Sequence, residues 1–211
     1  MESSIVQYLK DKSIFVTGAT AFLAKIFVEK VLRVQPNVKK LFLLVRAKDA
    51  KFATYFAMAR MYGWPNTYVF SKAMGEILLG HLRGEKPLVI MHPTIITSVY
   101  KGSLTGWIEG VGKTIDSVIL GYAKGDILCF LGDPEVVIDL IPGDMVVNAM
   151  ILAIATHSNQ HSEVIYHEES LRKAMVNNDE MKLFDCDPKH IEWDDYLINF
   201  HIPGVIKYLL K

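Results

Sequence analysis

Apolar residues in this chain fall into short unbroken runs separated by stretches of helical spacing. Residues 13–16 form the first run, closed by Thr17-Gly18, and read as a strand entering a turn. From 22 to 34 there is no Gly or Pro. Phe22, Leu23, Ile26, Phe27, Val31 and Val34 recur there at the spacing of one helix face, and Pro36 ends the element. Residues 41–45 are apolar without alternation, the pattern of a strand buried on both faces of a parallel sheet. Strand, helix and strand predict a βαβ unit over the first 46 residues.

Further along, 50–61 has helical character, broken by Gly63-Trp64-Pro65-Asn66. Asn66 or Thr67 can cap a helix running to about Arg83, closed by Gly84 and Pro87. Residues 88–91 predict a strand ended by Pro93, and 102–112, with four glycines and Trp107, predict a loop. Short strands are expected at 127–131, 136–140 and 164–166, with a helix capped by Asp144 and running to about Ala155. Beyond Ser170 the composition shifts. Asp187-Pro188 signals a helix start, Pro203 a break, and a short last helix runs to Lys211. The order of elements predicts an α/β fold, a doubly wound parallel sheet that is incomplete, with a small C-terminal appendage.

Composition narrows the functional classes. Of 211 residues, 51% are hydrophobic and 22% charged, which excludes a disordered chain. Lys+Arg and Asp+Glu are both 23, so the basic excess of a nucleic-acid binder is missing and no nucleic-acid partner is expected. Cys129 and Cys186 make neither a disulfide framework nor a zinc-type pair. The opening MESSIVQYLKDK lacks a signal-peptide run, and 145–155, interrupted by Asn148, is too short to span a bilayer. The expectation is a soluble or peripherally attached protein.

Two places carry candidate chemistry. The turn Gly18-Ala19-Thr20-Ala21-Phe22-Leu23-Ala24 has small residues at the three positions a nucleotide-binding turn needs, namely Gly18, Ala21 and Ala24. They serve a tight turn, a close approach to pyrophosphate and helix–strand packing. The helix start adds unpaired N–H groups. Only Gly18 is glycine, and the Ala21 methyl sits where a phosphate oxygen would want space; a plain packing turn stays open as the alternative. Arg46 ends the second strand, where an acidic residue would hold a ribose 2′-OH; an Arg there suits a 2′-phosphate and NADPH, with an ordinary solvated strand-end Arg as the alternative. Secondly, Tyr68 and Lys72 stand four apart and share a helix face, so the ammonium can stabilise the phenolate and equip it for proton transfer. Tyr8 and Lys12 have the same spacing, so the place of Tyr68, on a capped helix before a strand, distinguishes it.

TGATAFLAK (17–25), LLVRAK (43–48), GWPNTYVFSKAMGE (63–76), GWIEG (106–110), IDLIPGDMVVNAM (138–150) and the tail from Met181 resemble the alcohol-forming fatty acyl-CoA reductases, most closely the plant type. That family is built on an extended short-chain dehydrogenase-like, Rossmann-like fold. It reduces long-chain fatty acyl-CoA to primary alcohols, as in wax synthesis, with two NADPH. The resemblance implies that Thr17, Gly18, Thr20, Ala21, Phe22 and Leu23 line the cofactor phosphates and that Arg46 meets the 2′-phosphate. It further implies that Lys72 binds the nicotinamide ribose and tunes Tyr68, which protonates the nascent alkoxide. Pro93 and Thr94 then lie near the nicotinamide, and the 102–112 loop with Trp107 near the acyl site, unless Trp107 simply packs under the loop. On this reading 1–156 is a shortened NAD(P)-binding domain and 157–211 a remnant of the C-terminal substrate region. The location implied is the cytosolic face of the endoplasmic reticulum or the cytoplasm, with peripheral membrane attachment compatible.

The chain departs from the family pattern at Ala21, where the family has Gly, and at His92, where it usually has Arg. A larger departure is one of length. Eighteen residues, 50–67, separate Asp49 from Tyr68. A doubly wound sheet needs further units there, at roughly 30 residues per βαβ step. At least two strands are absent, including the one on which the family keeps the Ser or Thr that orients the substrate carbonyl. The second strand is then expected to lose its neighbours and expose apolar side chains. An active reductase, a non-catalytic nucleotide- or partner-binding remnant, and another reductase or epimerase on the same fold are the readings to separate.

Overall fold

The computed structural model describes residues 4–44, 59–109, 115–129, 132–133, 135–160, 163–166 and 191–209. After a short helix α1 (Ser4–Leu9), the βαβ unit forms as the pattern predicts. Strand β1 (Ser13–Thr17), helix α2 (Phe22–Val34) and strand β2 (Lys40–Leu44) follow one another, and the strands pair in parallel from Ser13↔Lys40 to Thr17↔Leu44. Helix α2 buries Ile26, Phe27 and Val31, its inward stripe.

Helix α3 (Thr67–Leu82) starts at Asn66, whose side chain accepts from the Val69 amide at 2.9 Å. Strand β3 (Leu88–Met91) and a short β4 (Ile95–Thr97) follow, then helix α4 (Ile115–Lys124), strand β5 (Leu140–Pro142), helix α5 (Gly143–His157) and strand β6 (Glu163–Tyr166). The chain closes with α6 (Trp193–Tyr196), a π-helical turn (Leu197–His201) and α7 (Ile202–Leu209). The fold is α/β, and among the described residues the strands are parallel and form three separate pairs, β1–β2, β3–β6 and β4–β5. That is an incomplete Rossmann-like sheet.

Helix α5 organises the core. Met145, Val146, Val147, Ala149, Ile151 and Leu152 are buried on it, and they cluster with Ile26 and Val31 of α2, Leu9 of α1 and Tyr196 of α6. A helix apolar on every side is one surrounded by protein. A Cβ at Gly143 would stand 2.9 Å from side-chain atoms of Ile26 and Phe22, so this glycine lets α5 approach α2.

Several expectations are corrected. Residues 127–129 and 136–139 are not strand; the strand begins at Leu140, and Val136, Val137 and Ile138 are exposed. Among the described residues no strand pairs with these runs, and 130–131 lie outside the described residues. Helix α4 and strand β4 lie where the pattern predicts no element. Asp144 does not cap α5. Pro142 occupies the cap position, and the Asp144 carboxylate accepts from the amides of Tyr100 at 2.7 Å and Lys101 at 3.2 Å. Burial pushes this carboxyl above its ordinary range, opposed by those two amides. Strand β2 is not buried on both faces, because Phe42, Leu43 and Leu44 are about half exposed. The exposure matches the loss of neighbours expected from the short 50–67 connection. Pro203 does not break the last helix; the π-turn before it widens the coil where a proline ring would meet the carbonyl four residues back. Of the predicted 50–61 helix, only 59–61 falls within the described residues, and it is helical.

Candidate functional site

The turn between β1 and α2 is exposed at Thr17, Gly18, Thr20 and Ala21. Gly18 adopts φ +63, a left-handed conformation that favours glycine, and a Cβ there would meet nothing within 4 Å. The Ala21 amide donates to the Gly18 carbonyl at 2.8 Å, closing the turn. Ala21 is the N-cap of α2 and makes no side-chain cap bond, so no side chain competes for the first amides of the helix. Phe22 directs its ring toward Trp107, with centroids 5.1 Å apart, and can offer an anion only its backbone. Trp107 itself belongs to the packed shell of the core, which favours the packing reading of that residue.

Lys25, one turn into α2, pairs with Glu109 at 2.5 Å and 2.7 Å to its two oxygens, tying the helix start to the 102–109 loop. No sequence signal marks this pair, because 84 positions separate its members.

Tyr68 and Lys72 share the outer face of α3, and the Lys72 Nζ lies 5.5 Å from the Tyr68 ring centroid. Tyr68 is 69% exposed. Both line a cleft of about 1350 Å³ that also reaches Pro93, Thr94 and Leu23, so five of the predicted site residues meet there. Thr17, Gly18, Thr20, Ala21 and Phe22 are not among its lining residues. Arg46 lies outside the described residues, as does Cys186. The Thr94 hydroxyl donates to the Asp139 carbonyl, which fixes its side chain at the β3–β4 junction.

Glu76, one turn beyond Lys72 on the same face, also lines the cleft, and its Oε1 stands 3.3 Å from His92 Nε2. The i, i+4, i+8 spacing of Tyr68, Lys72 and Glu76 is the signal in the sequence that marks Glu76. His157 lines the far end of the cleft. Its Nε2 is 2.7 Å from the Tyr166 hydroxyl and its Nδ1 is 2.6 Å from Gln160 Oε1, an arrangement that joins the end of α5 to β6.

Among the described residues, no cluster of His, Cys, Asp and Glu could hold a metal, and no helix is long and apolar enough to cross a membrane.

An open glycine turn leading from a parallel strand into a helix, with a Tyr–Lys face on a neighbouring cleft, defines a nucleotide-binding α/β protein. The chain belongs to the NAD-binding family described as male sterility protein, whose model matches residues 16–55 and 52–150. Its cofactor class is therefore a nicotinamide dinucleotide, and the exposed turn with its uncapped helix start fits the phosphates of one. The chain is 54% identical to fatty acyl-CoA reductase 1 of Arabidopsis thaliana over 121 residues, 57% of this chain and 24% of the relative. It is 54% identical to the alcohol-forming fatty acyl-CoA reductase of Simmondsia chinensis over 111 residues, 52% and 22% of the two chains. To fatty acyl-CoA reductase 8 of Arabidopsis thaliana it is 32% identical over 268 residues, 72% and 54% of the two chains. The chain thus spans about half or less of the length of these relatives.

Proposed function

We propose that this chain carries the cofactor-binding and proton-donating half of an NADPH-dependent, alcohol-forming fatty acyl-CoA reductase. The observation that carries the reading is the meeting of Tyr68, Lys72, Pro93 and Thr94 on one cleft in a chain of this family. Thr17, Gly18, Thr20 and the backbone of Ala21 to Leu23 would hold the dinucleotide phosphates, and Arg46 the 2′-phosphate that separates NADPH from NADH. When bound, the reduced nicotinamide supplies a hydride. Lys72 would hold the nicotinamide ribose and keep the phenol of Tyr68 poised. Tyr68 would give its proton to the oxygen that becomes anionic as the long-chain acyl carbonyl is reduced. The division into a shortened NAD(P)-binding domain, 1–156, and a remnant of the substrate region, 157–211, rests on the resemblance; β6 and Tyr196 of the second part pack against the first. We place the protein at the cytosolic face of the endoplasmic reticulum or in the cytoplasm.

The experiment is to add palmitoyl-CoA and NADPH to the purified chain and follow loss of reduced nicotinamide. The expected result is turnover that falls about 10²–10⁴-fold in Tyr68→Phe while NADPH affinity is unchanged, the loss typical of a missing general acid. A second reading, nucleotide binding without turnover, is favoured by one observation. Seventy-two per cent of 211 residues is about 152, so about 116 of the 268 positions aligned with reductase 8 face no residue of this chain. NADPH binding with no oxidation by any long-chain acyl-CoA would select that reading.

A further inference from the structure

Strand β3 ends at Met91, and the residues that follow it are held in place. The His92 amide donates to the Tyr166 carbonyl at 2.9 Å, which carries the β3–β6 pairing one residue further. Pro93 confines the backbone of the residue before it to extended conformations. The Thr94 hydroxyl donates to the Asp139 carbonyl. His92 is therefore a fixed backbone point at the Pro93–Thr94 end of the cleft, and its partly exposed side chain is directed at α3.

Helix α3 packs against β3 and brings Tyr68, Lys72 and Glu76, each one turn from the next, to the same cleft. This spacing gives the Lys72 ammonium two neighbours, the phenol ring four residues before it and a carboxylate four residues after it. Opposite charges at i, i+4 attract on a helix surface. The side chains adopt the other arrangement. Lys72 Nζ lies 5.5 Å from the Tyr68 ring centroid, and Glu76 Oε1 lies 3.3 Å from His92 Nε2. The ammonium is turned to the phenol and the carboxylate to the imidazole. A proton on Nε2 lets His92 donate to a carboxylate, in the neutral ring as in the charged one.

We propose that His92 is a positioning residue for the nicotinamide half of the cofactor. It holds Glu76 away from Lys72, so that the ammonium stays free for the nicotinamide ribose and for Tyr68. The inference deepens the reading given above and rests on its assignment of Lys72 to that ribose. His92 acts through two other side chains, and its effect is on how often Lys72 is available. An Arg at this position would meet the carboxylate with a fork of donors and do the same work.

Without His92 the Glu76 carboxylate is free to take Lys72. An i, i+4 pair of this kind forms with an equilibrium constant of about 2. About one molecule in three then keeps its ammonium free, and the apparent affinity for a ligand that needs it falls about threefold. A ligand that does not reach Lys72 is unaffected.

The test compares two ligands by calorimetric titration into the full 211-residue chain at low ionic strength, where exposed charges are least screened. One is NADPH. The other is adenosine 2′,5′-bisphosphate, which carries the adenosine half of NADPH and no nicotinamide ribose. His92→Leu is expected to bind NADPH about threefold more weakly than the parent and the bisphosphate equally well. Adding Glu76→Gln to His92→Leu is expected to restore the NADPH affinity, because no carboxylate remains to capture Lys72. His92→Arg is expected to retain it. A His92 that merely clasped α3 to β3 would give another pattern, since the double variant lacks the clasp as well and would stay weak. The inference is overturned if His92→Leu binds NADPH as the parent does, if Glu76→Gln fails to restore the affinity, or if the bisphosphate weakens in step with NADPH. A parent chain that binds no NADPH overturns the cofactor reading and the inference together, whereas binding by the parent with any of those three results overturns the inference alone. The expected affinities without reduction of any acyl-CoA support the inference and count against the reductase reading only.

Discussion

The phenol of Tyr196 is fully enclosed, and its hydroxyl lies 2.8 Å from Thr97 Oγ1, 3.0 Å from Ser98 Oγ and 2.8 Å from the Ser98 carbonyl, to which it donates. Loss of solvent pushes its pKa up to about 12 from the usual 10, against the help of Ser98 and Thr97. The unfolded chain therefore releases this proton at lower pH than the folded one. The stabilisation is complete below pH 10 and is lost as pH climbs towards 12, by about 2–3 kcal/mol in all. Urea unfolding measured across that range should show the decline in the parent and a flatter alkaline limb in Tyr196→Phe. The variant should start about 1–3 kcal/mol less stable at neutral pH, for the hydrogen bonds it gives up. Nearby, His201 Nδ1 accepts from the Ser98 amide at 3.2 Å, and its Nε2 faces Asp116 Oδ1 at 3.2 Å. None of this network was legible in the sequence. Tyr196 and Ser98 are 98 positions apart, and their meeting is decided by how α6 packs rather than by any local pattern. Tyr68 and Lys72 were legible because one turn of helix brings them together.

Elements whose ends carry their own chemistry were the ones read correctly. Asn66 stops the preceding turn and supplies the cap bond of α3 from three residues away, so Asn66→Ala should cost about 1 kcal/mol. Hydrogen exchange should show the loss concentrated at the amides of the first turn of α3, beside Tyr68, with the core amides of α5 unaffected. Residues 127–129 and 136–139, expected as strand, are not strand for the opposite reason, and 130–131 lie outside the described residues. Apolar composition does not say which neighbour will pair with a run, and only 140–142 found one, in β4. Helix α7 shows a third case. Pro203 is a correct sign of disturbance in the backbone, but the disturbance took the form of a π-turn rather than a stop. Its docking also depends on a contact that no motif shows: a Cβ at Gly204 would stand 2.1 Å from the Gly106 carbonyl oxygen.

Taken whole, the molecule has a well-filled centre around α5 and poorly covered flanks. Phe15 of β1 is 64% exposed, Phe42 of β2 is 50% exposed, and Leu82 at the end of α3 is 78% exposed. The 50–67 connection is too short to supply a covering layer, and that much the sequence length foretold. Uncovered apolar strands beside an open edge invite association. Phe42→Lys should therefore raise, several-fold, the protein concentration at which light scattering begins. Its unfolding midpoint should fall little, since the ring already faces water.

The pairing of β3 with β6 also has a consequence in time. Met91 meets Tyr166, so about 75 more residues must be made before the first of these strands gains its partner. At ribosomal speeds of 5–20 residues per second, that is a wait of roughly 4–15 s. During it the nascent β3 is bare on both sides, and a chaperone acting co-translationally has its greatest effect in that interval.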